Sequence, residues 1–242
     1  MLRRFAGPTL RRLRFQGVQP GPIAKVVLSG GYQAFFLARE GYEWAWRSLV
    51  ATPTFLALCA EYGENITVDR VPYMSGHARI ELGSDIRVSG LIGIVAGSRG
   101  NPVLRIGNGV YIGHGTSISV SSRVEIGNYC AIGADTYITD TDGHSHTKLD
   151  TPIWEDLADD SSVAPVVIED NVQLAKGCTI LKGVRIGARS IVGAGAVIRT
   201  NVPPDSIVAG NPGRVAGWRR PATPGATQGV SAGEIAPGDG KP

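Results

Sequence analysis

An aliphatic residue returns at every sixth position from Ile168 through Leu174, Ile180, Ile186 and Val192 to Ile198. The same spacing holds upstream at Leu82 and Val88, at Ile106, Ile112 and Ile118, and at Ile126, Ile132 and Ile138. The next residue is often Gly, as at Gly83, Gly107, Gly113, Gly127, Gly133, Gly187 and Gly193. A short fixed period defines a solenoid, whose units bury apolar surface only by stacking. Three hexads make one coil of a triangular prism. The aliphatic residue points inward, and the small residue after it lets the chain turn the corner. The pattern therefore predicts an all-β fold, a parallel β-helix over residues 66–218.

Two stretches depart from the period. Gly100 occupies a hexad position among Ser98, Arg99, Asn101 and Pro102, which predicts a short loop leaving the coil. Between Ile138 and Ile168 the hexads vanish, which predicts a polar, acidic loop over 139–167 holding two of the chain's 4 His. A long loop inside a compact repeat is commonly functional. Downstream, Pro203 and Pro204 are expected to end the repeat, and the Pro- and Gly-rich residues 219–242 read as a disordered tail.

Ahead of the repeat, residues 1–65 form a basic arm and a helical segment. Little stable structure is expected up to about residue 25, then two helices from Gly31 to Tyr62 with a break near Thr52-Pro53. Thr52 or Thr54 is the expected cap of the second helix, and Gly63 its C-terminal stop. The apolar run from Ser48 to Ala60 is too short to span a bilayer and is expected to pack on the solenoid.

Composition sharpens the picture only in places. The 33 Gly are absorbed by the six-residue turns, and no Gly-x-y triplet supports a collagen helix. A net charge of +3 gives no reason to expect a nucleic-acid partner. Arg3, Arg4, Arg11, Arg12, Arg14, Lys25 and Arg39 all precede the first acid, Glu40. That arm is either a solvated terminus or a weak contact for an anionic membrane or glycan. Cys59, Cys130 and Cys178 form no CxxC pair and suit a reducing compartment, and no secretory leader pattern is visible. The expected location is cytoplasmic, with peripheral contact at the inner face of the membrane as the variant.

The hexads, the Asp140-Thr-Asp-Gly-His144 run and the closing Val202-Pro-Pro-Asp-Ser-Ile-Val-Ala-Gly-Asn-Pro212 segment together resemble the left-handed β-helix acyltransferases. The resemblance covers residues 66–220. It is closest to sugar O-acetyltransferases of the maltose and galactoside type and to enzymes that decorate capsule and O-antigen sugars. It implies a left-handed coil, acetyl-CoA as cosubstrate with no metal, a sugar or glycan acceptor, and a homotrimer with active sites between subunits.

Within that resemblance His144 is the candidate general base. A neutral imidazole can take the proton of a sugar hydroxyl as it attacks a thioester, a contribution of roughly 10²–10⁴-fold. Asp142 is the expected carboxylate that orients the ring, with Glu155 as the alternative. His146 and Trp154 are expected at the acceptor, together with His114 and Thr116 on the earlier coil, where some relatives carry Asn. Ala175, Gly177 and Ala194 would leave room for the pantetheine arm. Lys176, Arg199, Thr200 and Arg214 would meet the phosphates, with Lys182 a further cation nearby. Relatives commonly have Trp-Ile-Gly where Gln173-Leu174-Ala175 stands, so the acceptor cleft is expected to differ.

Other functions remain to be separated. N-acetylation of an amino sugar uses the same site, and a non-catalytic trimeric scaffold uses the same coil. A zinc hydratase of the γ-carbonic-anhydrase type needs three converging histidines. The downstream coil where that class places a pair reads Gln173-Leu-Ala-Lys-Gly-Cys178.

Overall fold

A computed structural model describes residues 21–97, 100–144, 152 and 162–219. The hexads fold into a three-sided parallel β-helix, the left-handed coil that the resemblance implies. One face holds eight strands, the second six and the third five. The chain visits the faces in turn, as in Tyr111–Ile112 on the first, Ser117–Val120 on the second and Arg123–Ile126 on the third.

Register follows the inward aliphatic residues. On the first face Ile112 pairs with Ile132, Ile132 with Leu174, and Leu174 with Val192. On the second face Ile118 pairs with Ile138 and Ile138 with Ile180. Inserted residues therefore leave the coil at a corner without shifting which side chains point inward, since a one-residue slip would turn them out. Ile80, Ile94, Ile112, Ile118, Ile132, Ile138, Ile168 and Ile180 are all buried in one continuous core. Burying each contributes about 1.5–3 kcal/mol.

Glycine matters most where successive coils touch. A Cβ on Gly133 would sit 2.6 Å from the carbonyl carbon of Ala175, and one on Gly113 2.5 Å from the Ala134 nitrogen. Neither backbone has room to retreat. At the corner between the third and first faces, Asn108, Asn128 and Asp170 form a ladder. The Asn108 amide N–H donates to Asn128 Oδ1 at 2.9 Å, and the Asn128 amide N–H to Asp170 Oδ1 at 2.7 Å.

The coil departs from the sequence expectation at both ends. Pro203 and Pro204 do not end it: Val202 bridges to Ile186, and Ser206–Ala209 adds a further parallel strand beside Ile191–Val192. The prolines occupy a corner, where the ladder needs no donor from them. Arg214–Trp218 then folds back antiparallel and closes the first face. The disordered tail expected over 219–242 falls, past Arg219, outside the described residues.

At the other end, helix α1 (Pro22–Trp46) begins earlier than expected, with Pro22 in its first turn after an extended Gly21. Proline suits that position because its missing N–H would be unpaired there anyway. The break expected at Thr52-Pro53 is a π-helical turn over Arg47–Ala51, leading without interruption into α2 (Thr52–Leu56). The Thr52 N–H reaches back to the Arg47 carbonyl, a widened turn that accommodates the donor missing at Pro53. Thr52 is no cap: its Oγ accepts from the Val68 N–H at 3.0 Å, and α2 has no side-chain cap. Gly63 belongs to the first coil, where its N–H donates to Leu82 at 3.1 Å. Phe55 on α2 plugs the open end of the core.

Cys130 and Cys178 are packed inside the prism, and burial pushes the Cys130 thiol from 9.0 to about 11. The folded protein keeps that proton where the unfolded chain loses it, so stability is expected to fall as pH rises from about 9 toward 11. Urea unfolding across that window, wild type against Cys130→Ala, measures it; the wild type should show the steeper decline. An aromatic disulfide reagent at pH 8 should label Cys130 and Cys178 only after denaturation.

Candidate active site

The long loop leaves the coil at the corner between the second and third faces, after Tyr137–Thr139, and returns at Val166–Ile168. Its root is built by Asp140, a fully buried carboxylate. One oxygen accepts from the Ser121 N–H at 2.7 Å, the other from Ser122 at 2.6 Å and Arg123 at 2.7 Å. The main chain of Asp140 pairs on both sides, its N–H to Ser119 at 3.3 Å and its carbonyl to the Ala164 N–H at 2.8 Å. Thr141 bridges antiparallel to Val163, and the Asp142 N–H donates to Ser162 at 2.9 Å. The two strands of the loop's neck are thus tied together directly beneath His144.

Asp142 is ion-paired with Lys182, which rises from the next coil at the same corner. The Gly143 N–H donates to Thr141 Oγ1 at 3.0 Å, and Gly143 takes a φ of 84° that suits glycine. His144 follows, exposed at the end of this tied stem. His146, Trp154 and Glu155 lie outside the described residues. Arg199 and Thr200 are exposed at the same corner one coil below Lys182.

The remaining candidates gather at a different corner, between the first and second faces. His114, Ala134, Lys176 and Ala194 stack there in successive coils, linked by the Asp135, Gly177 and Gly195 N–H groups. His114 is exposed. Thr116 is fully buried, its hydroxyl donating to the Gly133 carbonyl at 3.3 Å. A side chain pointing into the prism is a packed corner residue, which takes Thr116 off the acceptor surface where the sequence reading placed it. Lys176 pairs with Asp135 at 3.1 Å, an exposed contact of at most about 1 kcal/mol. Arg214 is exposed on the antiparallel strand that closes the first face.

Two glycines at this corner differ from the tightly packed ones. A Cβ on Gly195 would meet nothing within 4 Å, and one on Gly177 only the Gly195 nitrogen at 4.0 Å. Their φ values of 68° and 72° favour glycine, yet Asp85, Tyr129, Asn171 and Arg189 hold similar φ at other corners. Gly177 and Gly195, beside Ala175 and Ala194, leave a strip of main chain open at this corner, free of side chains that would cover it. Beneath it Cys178 donates to the Ala175 carbonyl at 3.0 Å, and burial raises its thiol pKa. A protonated, buried thiol is unsuited to carrying an acyl group.

One chain does not bring the two clusters together. A whole prism face separates them, roughly 15–20 Å for about six residues at ~3.3 Å each. Among the described residues no three His, Cys, Asp or Glu side chains group as metal ligands. The buried clasp of Asp140 had one visible signal in the sequence. It stands where the paired coil has inward Val120, so an acid falls at a position whose parity calls for an apolar residue.

Residues 165–200 match the family described as bacterial transferase hexapeptide (six repeats). The chain carries that repeat. Curated relatives include a serine acetyltransferase from Synechococcus elongatus, 28% identical over 53% of this chain and 46% of that protein. A 2,3,4,5-tetrahydropyridine-2,6-dicarboxylate N-acetyltransferase from Staphylococcus aureus is 46% identical over 22% of this chain and 23% of its own length. The hexapeptide chain thus spans less than half the length of either relative. Among solved structures, the N-acyltransferase AntD from Bacillus cereus, complexed with dTDP-4-amino-4,6-dideoxyglucose and coenzyme A, superposes with a TM-score of 0.56. It is 15% identical and covers 70% of this chain and 89% of that one. The polysialic acid O-acetyltransferase OatWY gives a TM-score of 0.51 at 18% identity, covering 69% and 87%. At these identities the likeness establishes the shared fold.

Asp140→Ala is expected to speed amide exchange at Ser121, Ser122 and Arg123 and, through the loosened neck, at Asp142 and Ala164. It should cost about 2–4 kcal/mol, since three donors lose a charged acceptor. Unchanged exchange at Asp142 and Ala164 would show that the carboxylate does not hold the loop.

Proposed function

We propose that this chain is an acyltransferase moving an acetyl group from acetyl-CoA to a hydroxyl of a sugar or glycan, in a cleft shared by two copies of the chain. One observation supports the reading most. The loop with His144 and the open backbone channel lie at different corners of the prism, so a working site needs the loop corner of one copy against the channel corner of another. A closed ring of three such contacts is the homotrimer expected from the resemblance.

In this arrangement Ala175, Gly177, Ala194 and Gly195 admit the pantetheine arm, whose amides hydrogen-bond to exposed backbone. Lys176 and Arg214 lie beside the channel, and Arg199 and Thr200 at the loop corner, to meet phosphates. His144 takes the hydroxyl proton as the acceptor oxygen attacks the thioester carbonyl, then returns it to the departing sulfur, so no proton is gained or lost overall. Asp142, ion-paired with Lys182, holds the stem of the loop. Alignment of both substrates in one cleft adds effective molarities of about 10⁵ M or more. The buried thiols of Cys130 and Cys178 and the half-buried thiol of Cys59, all with pKa raised by desolvation, favour direct transfer over a cysteine-bound acyl group.

N-acetylation of an amino sugar is the second reading, favoured by the bound amino-sugar nucleotide of AntD. Hydroxylamine cleaves an ester product and spares an amide, which separates the two.

His144→Ala should lower kcat by about 10²–10⁴-fold while leaving assembly and acetyl-CoA affinity unchanged. Thiol release from acetyl-CoA against sugars, amino sugars and surface polysaccharides measures it. Surviving turnover would remove His144 as the base. Wild-type protein releasing no thiol with any acceptor would favour the scaffold.

A further inference from the structure

Helix α1 has no buried residue along its 25 residues. Ile23, Val26, Val27, Leu28, Phe35, Leu37, Tyr42 and Trp44 are each at least 61% exposed. Counting 100° per residue, Lys25, Arg39, Glu40, Glu43 and the following Arg47 fall within an arc of roughly 100°, which also holds the exposed Tyr32 and Phe36, and the eight other apolar side chains share a charge-free arc of roughly 200°. That is wider than the stripe a helix uses against a protein core or in a coiled-coil seam.

Among the described residues the helix is tied to the coil at its C-terminal end. Arg70 grips Glu43 through two bonds of 2.6 and 2.7 Å, and Arg47 meets Asp69 at 3.3 Å. Both ties consume charges of the polar arc and turn it toward the first coil. A Cβ on Gly30, Gly31 or Gly41 would meet nothing within 4 Å, so among the described residues no close packing offsets their low helix propensity. The segment needs a surface to cover it.

Charge selects the surface. Of the seven Lys and Arg before the first acid, Glu40, Lys25 and Arg39 lie on α1, and Arg3, Arg4, Arg11, Arg12 and Arg14 precede it in the sequence, outside the described residues, so that residues 1–46 are basic as a whole. Copies of such a segment repel one another, whereas an anionic lipid surface attracts them, and a helix with a broad apolar arc and aromatic side chains lies in such an interface. No described helix is long and apolar enough to cross the membrane. We infer that α1 lies flat on an anionic phospholipid surface, its apolar arc inserted between headgroups, and so holds the β-helix at the membrane. This inference does not depend on the acyltransferase reading.

The full chain is tested with vesicles of phosphatidylcholine alone and with 30% phosphatidylglycerol. The anionic vesicles should co-sediment the protein at least tenfold more, blue-shift tryptophan emission through Trp44, and lose most binding as salt rises. Leu37→Glu should weaken vesicle binding at least tenfold while sedimentation velocity shows an unchanged oligomer. Equal or absent binding to both vesicles would overturn the inference. So would a Trp44 already shielded from iodide without lipid, or an oligomer broken by Leu37→Glu, because either would make another copy of the chain the partner of α1.

Discussion

Every coil lends its main-chain donors and acceptors to the next, and this pairing persists only while the inward Ile, Leu and Val side chains stay stacked. The two requirements reinforce each other. Parallel strands of two to four residues are too short to be stable singly, and an aliphatic column without pairing has no register. Stacking thus makes a rigid rod from a chain with few local interactions, and everything functional is displaced to its corners.

The corners divide the chemistry. At one, Asp140 replaces an inward aliphatic residue and anchors a loop that carries His144 away from the rod. At another, Gly177 and Gly195 leave backbone exposed where other corners hold Tyr129 or Arg189. A face of the prism keeps the two apart, and the rod does not bend to join them. In the proposed mechanism, association of copies is part of the chemistry.

Much of the coil was legible because its signal is periodic and redundant. The insertion after Ile138 could be placed because aliphatic residues of the same parity resume at Ile168. The N-terminal helix starts earlier than its aromatic and aliphatic pattern from Gly31 suggests, because Pro22, one of the residues that punctuate the basic stretch, fits the first turn of a helix. Pro203-Pro204 looked like a stop because proline breaks ladders, yet a corner needs no ladder bond there. Thr116, a candidate stand-in at the acceptor that also reads as a satisfied corner residue, is the latter: its hydroxyl turns inward to the Gly133 carbonyl. The parity of position 140 marks the acid itself, but the partners of Asp140 and Lys182 lie too far along the chain for spacing to reveal.

The central claim is that the site is completed by a second copy, and subunit complementation tests it most directly. Two inactive variants, His144→Ala and Gly195→Trp, are unfolded, mixed in equal amounts and refolded together. A site taking its base from one copy and its channel from another should regain about a quarter of wild-type activity through statistically mixed assemblies. No recovery, with mixed assemblies demonstrated by mass spectrometry, would place both halves of the site within one chain and contradict the account.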